Sequence, residues 1–321
     1  MRRAWMALAA VLVAGSLGAH AQSWPNRPVR VIIPFGAGSA TDVIPRIVFD
    51  RLSQQLGQQI VVENRGGAGG TLGTAMVARA DPDGDTLLAT SSAHTIAPAL
   101  YPNLSYDVGR DFTAIGAIGG VPNVLVISPA RGIKTLKDLV AAAKAKPGSF
   151  SFASLGVGSA VYMSAERFRM SAGYEAVHVP FKGGAEGLTE VMAGRVDYYF
   201  CPIATALPFI RDGKLLALAV SSPTRSPLLP DVPTTLEAGF KDSDYTLWIG
   251  MFAPAKTPQA IVDKLNAELT KAVQAPDVKE KLNAIGVETM IMPPAAFGAQ
   301  VKSETAIYAD FAKAAGMKVS N

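Results

Sequence analysis

Val29-Arg30-Val31-Ile32-Ile33-Pro34-Phe35, followed by Gly36-Ala37-Gly38-Ser39-Ala40-Thr41-Asp42, sets the pattern of this 321-residue chain. The first half is a β-branched apolar run of strand length, and the small-residue cluster after it is a turn. Ser39 or Thr41 can cap a helix. Val43, Ile44, Ile47, Val48 and Leu52 then recur at helical spacing until Gly57 ends the pattern. The same sequence of signals returns at Ile60-Val61-Val62-Glu63-Asn64, with Arg65-Gly66-Gly67-Ala68-Gly69-Gly70 as the turn and a small-residue helix over 71–79. Asp81-Pro82-Asp83-Gly84 is a turn, and Thr86-Leu87-Leu88-Ala89-Thr90 a third strand. Strands alternating with helices predict a parallel sheet covered by helices, an α/β fold.

A second series begins at Asn123-Val124-Leu125-Val126-Ile127. A helix over 134–144, a strand over 150–154 and a helix from about 160 to 171 follow. A strand over 176–181 precedes a helix over 185–193, and short strands at 196–200 and 215–220 complete the series. The proline- and serine-rich stretch 221–233 reads as a loop, and Trp248 to Ala253 as a return strand. Helices over 258–274, 277–285 and 294–315 end the chain. The expected architecture is two parallel-sheet α/β domains joined by a two-segment hinge. Lobe 1 takes residues 22–123 and 249–321, and lobe 2 is inserted as 124–248. The chain would cross between lobes near 121–128 and 245–254.

The N-terminus carries an address. Met1-Arg2-Arg3 is a positive head, residues 4–18 are apolar, and Ala19-His20-Ala21 is a small-x-small end, as in a secretory signal peptide cleaved after Ala21. The apolar run is shorter than the roughly 20 residues of a spanning helix. The residues after Arg2-Arg3 do not support twin-arginine export, and Cys201 is too far away to take a lipid anchor at the cleavage site. The expected location is therefore periplasmic. Composition narrows the function. With 49% hydrophobic and 17% charged residues the chain is no disordered polyelectrolyte. A formal charge of +4 without a basic run gives no nucleic-acid footprint. One cysteine excludes an intramolecular disulfide and any multi-cysteine metal site.

Four glycine- and serine-rich turns, at 36–42, 66–73, 154–160 and 182–186, lie between a strand's C-terminal end and a helix N-terminus. Ligands of open α/β sheets bind beyond those strand ends. A helix's first turn offers unpaired N–H groups and a partial positive charge, so paired turns on two lobes predict an anion cleft. The alternative is an exported α/β enzyme or a nucleotide-binding protein using the 36–41 turn. Gly36-Ala37-Gly38-Ser39-Ala40-Thr41 approaches a dinucleotide fingerprint, with Glu63 as the ribose acid. Against it stand Thr41 in place of the third glycine, a long interval to the acid, and export away from nicotinamide cofactors. No cofactor is expected. No Gly-Lys-Ser/Thr follows a glycine cluster, and no Gly-x-Ser-x-Gly elbow places a nucleophile. The mature chain has two histidines, His94 and His178, which with Cys201 make no metal site. His178 alternates with Val177 and Val179 and reads as structural; His94 lies where a cleft loop is expected.

The motifs Pro34-Phe35-Gly36-Ala37-Gly38-Ser39-Ala40-Thr41-Asp42, Val62-Glu63-Asn64-Arg65-Gly66-Gly67-Ala68-Gly69-Gly70, Val177-His178-Val179-Pro180-Phe181-Lys182-Gly183 and Leu229-Pro230-Asp231-Val232-Pro233-Thr234 occur in this order. With Asp81-Pro82-Asp83-Gly84, Pro98-Ala99-Leu100-Tyr101 and Ala253-Pro254-Ala255, the chain resembles the solute-binding receptors of tripartite tricarboxylate transporters over its whole mature length. That resemblance implies a type II periplasmic-binding-protein fold, a monomer that closes on a di-, tri- or aromatic carboxylate, and delivery to membrane permease subunits. It implies no catalysis. It also implies ligand contacts, made largely by backbone N–H groups and bound water. In lobe 1 these are Phe35, Gly36, Ala37, Gly38, Ser39, Ala40, Thr41, Asp42, Gly67, Ala68, Ser92 and His94. In lobe 2 they are Ser154, Gly156, Gly158, Ser159, Phe181, Lys182, Gly183 and Cys201. Two positions depart from the family's pattern. Gly38-Ser39 replaces the usual glycine pair, and Cys201 stands where aspartate is frequent. Both changes favour a cleft that tolerates a second carboxylate or an apolar body.

Overall fold

The computed structural model describes residues 24–314 and 316–317. The expected leader and its cleavage site lie outside them. The first strand, β1 (Val29–Ile33), is buried between two parallel neighbours, β2 (Ile60–Asn64) and β3 (Thr86–Ser91). Between them run α1 (Ala40–Leu56) and α2 (Thr71–Ala78), and α3 (Ala93–Leu100) leaves β3 almost directly. One long strand follows, β4 (Phe112–Ile127), and then α4 (Leu136–Ala145), opened by a reciprocal cap between Thr135 and Asp138. The second half-fold comprises β5 (Phe150–Ser154), α5 (Ala160–Ala172), β6 (Ala176–Pro180), α6 (Gly184–Met192), β7 (Tyr198–Pro202), α7 (Ile203–Arg211) and β8 (Leu216–Val220). The chain returns through β9 (Thr246–Pro254) to α8 (Gln259–Gln274), α9 (Pro276–Ala284), β10 (Glu288–Thr289) and α10 (Pro294–Ala314).

The strand order β2-β1-β3-β9-β4-β7-β5-β6 runs through both lobes, because β4 is shared. From Phe112 to Pro122 it pairs antiparallel with β9; from Asn123 to Ile127 it pairs antiparallel with β7. The change of partner between Pro122 and Asn123 marks the crossing. Each lobe has the expected parallel core, β2-β1-β3 and β7-β5-β6, but neither sheet is purely parallel. A chain that enters the second lobe and comes back must lay one crossing segment against the other, so β9 runs antiparallel to both β3 and β4.

The first eleven residues of β4, and all of α3 and α7, were not expected from the sequence. The stretch from Phe112 to Val121 contains three glycines, which strands disfavour. The helices α3 and α7 each hold an internal proline, Pro98 and Pro208, which argues against helix when neighbours are unknown. The C-terminal helices return to the first lobe: α8 and α9 pack on α1, and α10 packs on α3 and β4. Trp248 Nε1 donates to Glu304 at 2.7 Å and ties α10 to the returning strand. Among the described residues no helix is long and apolar enough to cross a membrane.

Candidate functional site

All four glycine turns meet. Phe35-Gly36 and residues 66–70 from one lobe, with Leu155-Gly156-Val157 and Pro180-Phe181-Lys182 from the other, line a single cleft of about 770 Å³. That is ample for a small metabolite. Beneath it lies a chamber of about 20 Å³, with Phe35 and Leu155 belonging to the walls of both. A space of that size holds about one water.

Three helix N-termini converge on the chamber. Ser39, Ala40 and Thr41 open α1, Ser159, Ala160 and Val161 open α5, and Gly184 opens α6. The N–H groups of a helix's first residues have no partner within the helix and carry its partial positive charge. No charged side chain lines the chamber. Attraction for an anion therefore comes from backbone dipoles and hydroxyls. The Ser39 hydroxyl is buried and unpartnered. Ser159 is already engaged: its hydroxyl donates to the Gly156 carbonyl at 2.7 Å and accepts from Tyr162 N–H at 3.3 Å.

The lobes are in contact at the cleft's edge. Tyr101 O–H donates to the Val157 carbonyl at 2.6 Å, across the gap. A Cβ on Gly36 would stand 2.9 Å from the Lys182 carbonyl oxygen, and one on Gly69 would collide with the Val157 carbonyl. Only glycine lets these backbones approach so closely.

Comparison with known proteins gives the family. The family model described as "Tripartite tricarboxylate transporter family receptor" matches residues 44–306. The chain belongs to that family. The structure of the periplasmic binding protein BugD superposes with a TM-score of 0.89 at 34% identity, covering 92% of this chain and all of that one. Rpa4515 of R. palustris, solved with adipate, gives 0.88 at 31% identity, covering 92% of this chain and 100% of that one. MatC (Rpa3494) from Rhodopseudomonas palustris, solved with bound malate, gives 0.86 at 34% identity over 89% and 99% of the two chains. The fold is the two-lobed one of periplasmic binding proteins, and the family is one of solute-binding receptors rather than enzymes.

Several residues expected at the site of this receptor line neither the cleft nor the chamber. Ser92 is fully buried, and its hydroxyl bonds to the Tyr245 hydroxyl at 2.6 Å. His94 is buried behind Gly69-Gly70, between the rings of Phe112 and Phe252 at 4.9 and 4.6 Å. Cys201 is fully buried beside the Val124 carbonyl, so this position faces core, not cleft. Ala37 and Gly38 are exposed and line neither cavity. Gly158 lies against the Tyr101 ring, and Gly183 is the N-cap residue of α6. Ser154 is buried one layer behind the wall and bonds to His178.

Asp42 holds the first turn together. Its carboxylate accepts from Gly38 N–H at 2.9 Å, Arg46 Nε at 2.7 Å and Asn64 Nδ2 at 2.9 Å. Removal of that acceptor in Asp42→Ala breaks three hydrogen bonds, although Asn64 Nδ2 keeps the Phe35 carbonyl and the half-exposed Arg46 keeps Asn64 Oδ1. It is expected to cost about 1.5–3 kcal/mol, measured by urea unfolding, with any loss of ligand affinity following from a loosened turn. A variant as stable as wild type would show that these bonds are idle.

The walls include residues that the sequence did not place at the site. Ser91, Tyr199, Pro202, Thr205 and Leu247 line the chamber; Tyr101 and His178 line the cleft. Burial pushes the Tyr199 phenol well above its ordinary pKa, so it remains an O–H donor. The strand alternation that groups Tyr199 with Cys201 was the only signal available, and it does not say which end of the strand meets ligand.

Proposed function

We propose that this receptor captures a small organic carboxylate between its two lobes and delivers it to the permease of a tripartite tricarboxylate transporter. In this reading lobe 1 comprises residues 22–123 and 249–321, and lobe 2 residues 124–248. The leader is removed after Ala21, and the mature protein works in the periplasm without cofactor or catalysis. The observation that carries the reading is the convergence of the α1, α5 and α6 N-termini on one chamber free of charged side chains. Such a chamber attracts an anion without committing the site to a fixed countercharge. The chamber holds about one water in this closed form, so the carboxylate head meets the amides partly through water. The body of the acid occupies the larger cleft above. Adipate and malate in the related structures support a carboxylate of about this size. Family membership supports the permease as partner.

The test is thermal unfolding of ligand-stripped mature protein against a panel of di-, tri- and aromatic carboxylates at millimolar concentration. A cognate acid at 100 times its Kd is expected to stabilise the fold by about 2.7 kcal/mol. NAD and NADP are expected to give no saturable signal. A flat response to every acid, or saturable stabilisation by a dinucleotide alone, would overturn the reading.

A further inference from the structure

We infer that His178 is a specificity-determining residue of the cleft, a neutral hydrogen-bond donor for the far polar end of the bound acid, and that Ser154 fixes its tautomer. The inference deepens the carboxylate reading and rests on it.

Hydrogen-bond bookkeeping around Ser154 supplies the argument. Gly156 N–H can only donate, and it donates to Ser154 Oγ at 3.0 Å. Ser154 Oγ also lies 2.6 Å from His178 Nε2. The serine is 1% exposed, and no other acceptor for its proton exists among the described residues. Were Nε2 to carry a hydrogen, Ser154 would accept twice and bury an O–H with no acceptor, an arrangement that proteins avoid. The pairing that satisfies every group runs Gly156 N–H to Ser154 Oγ, then Ser154 O–H to His178 Nε2. In the neutral ring the proton then resides on Nδ1. No protein group among the described residues bonds Nδ1, and it is not among the buried unpartnered atoms.

The ring is also held in place. It stacks on Phe152 with centroids 5.1 Å apart and meets Tyr162 at 4.8 Å. His178 lines the 770 Å³ cleft, with Pro180, Phe181 and Lys182 beside it. Burial lowers its pKa to about 4, so the imidazole is neutral at pH 7. A neutral donor fixed in this way suits the second carboxylate, a hydroxyl or an amide oxygen of a ligand whose first carboxylate sits at the helix N-termini. A ligand ending in a methyl group leaves the Nδ1–H without an acceptor.

The test is isothermal titration of mature wild type and His178→Phe with linear dicarboxylates of four to eight carbons and monocarboxylates of the same lengths. Wild type is expected to prefer its best dicarboxylate over the matched monocarboxylate by roughly 10- to 100-fold. His178→Phe is expected to lose that preference while keeping monocarboxylate affinity. His178→Asn, which restores an N–H donor, is expected to recover part of it. Independently, ¹⁵N chemical shifts of the wild-type imidazole are expected to report the Nδ1–H tautomer, and Ser154→Ala to convert it to a mixture. Retention of the full preference in His178→Phe, or an Nε2–H tautomer in wild type, would overturn the inference while leaving carboxylate capture intact. Wild type that binds none of these acids and none of the wider panel of tri- and aromatic carboxylates overturns the carboxylate reading, and this assignment with it.

Discussion

Gly69→Ala is expected to yield a folded receptor that no longer closes on its ligand. Gly69 has φ +63°, a conformation that costs an alanine about 1 kcal/mol. That strain alone does not unfold a domain. The larger effect is steric: the new methyl occupies the place of the Val157 carbonyl of the opposite lobe. The obstacle is backbone, not a side chain that can swing aside, so relief comes from parting the lobes. Parting them breaks the Tyr101–Val157 hydrogen bond and opens the chamber between the helix N-termini. Affinity scales with the population of the binding-competent form, so a population lowered tenfold weakens binding tenfold. Ligand affinity in Gly69→Ala is expected to fall by at least about tenfold on that ground. Small-angle scattering is expected to show no compaction on adding ligand. Gly57→Ala is the control, since Gly57 has φ +67° with open space where its Cβ would be. It carries the same backbone strain and is expected to bind normally. Wild-type affinity in Gly69→Ala would show that the lobe contact is not required.

Acid is expected to destabilise the receptor well above the carboxylate range. His94 is fully enclosed, both ring nitrogens lack partners, and burial lowers its pKa to about 3. His178 is lowered to about 4 for the same reason. The unfolded chain binds each proton near pH 6.5, the folded chain only at much lower pH. Between these limits the unfolded state carries more protons, so stability rises with pH. The contribution is complete above about pH 6.5. It declines as pH falls, by at most about 1.4 kcal/mol per unit for each histidine. From pH 7.5 to 5, His94 alone is expected to remove about 2 kcal/mol. His94→Leu removes the titrating ring and its two orphan nitrogens. Urea unfolding at pH 7.5 and 5 is expected to show a smaller loss for this variant than for wild type. An identical pH dependence would exclude His94 as the source.

The two expectations differ in how they could have been foreseen. Gly69 belongs to a glycine cluster recognisable as a turn, but its contact with Val157 joins residues 88 positions apart and exists only when the lobes meet. Its position after a strand, where α/β ligands bind, puts His94 among the expected cleft loops. The strand continues instead into α3, and that helix carries the ring inward against Phe112 and Phe252. Ser92 likewise stands beside a strand end but faces inward, whereas Cys201, which only the resemblance puts at the site, is the buried small residue that its apolar strand suggests. Asp42 has a residue type that suits a polar site, yet Gly38, Arg46 and Asn64 consume its acceptors. Alternation with two valines marks His178 as structural. Its packing against Phe152 fits that description, and its place on the cleft wall comes from the neighbouring turns.

What the sequence determined by itself is local or ordered. The strands β1, β2 and β5, the turns after them, and the helices those turns open follow from side-chain period and cap chemistry within a few residues. Family membership follows from motifs in a definite order along the chain. What only the tertiary structure decided is convergence: which first turns face each other, which hydroxyl stays unpaired, which nitrogen of His178 is left to donate. Those depend on β4 and β9 crossing between the lobes and bringing residues far apart in sequence to within hydrogen-bonding distance. A pattern of nearest neighbours along one chain holds no record of that distance.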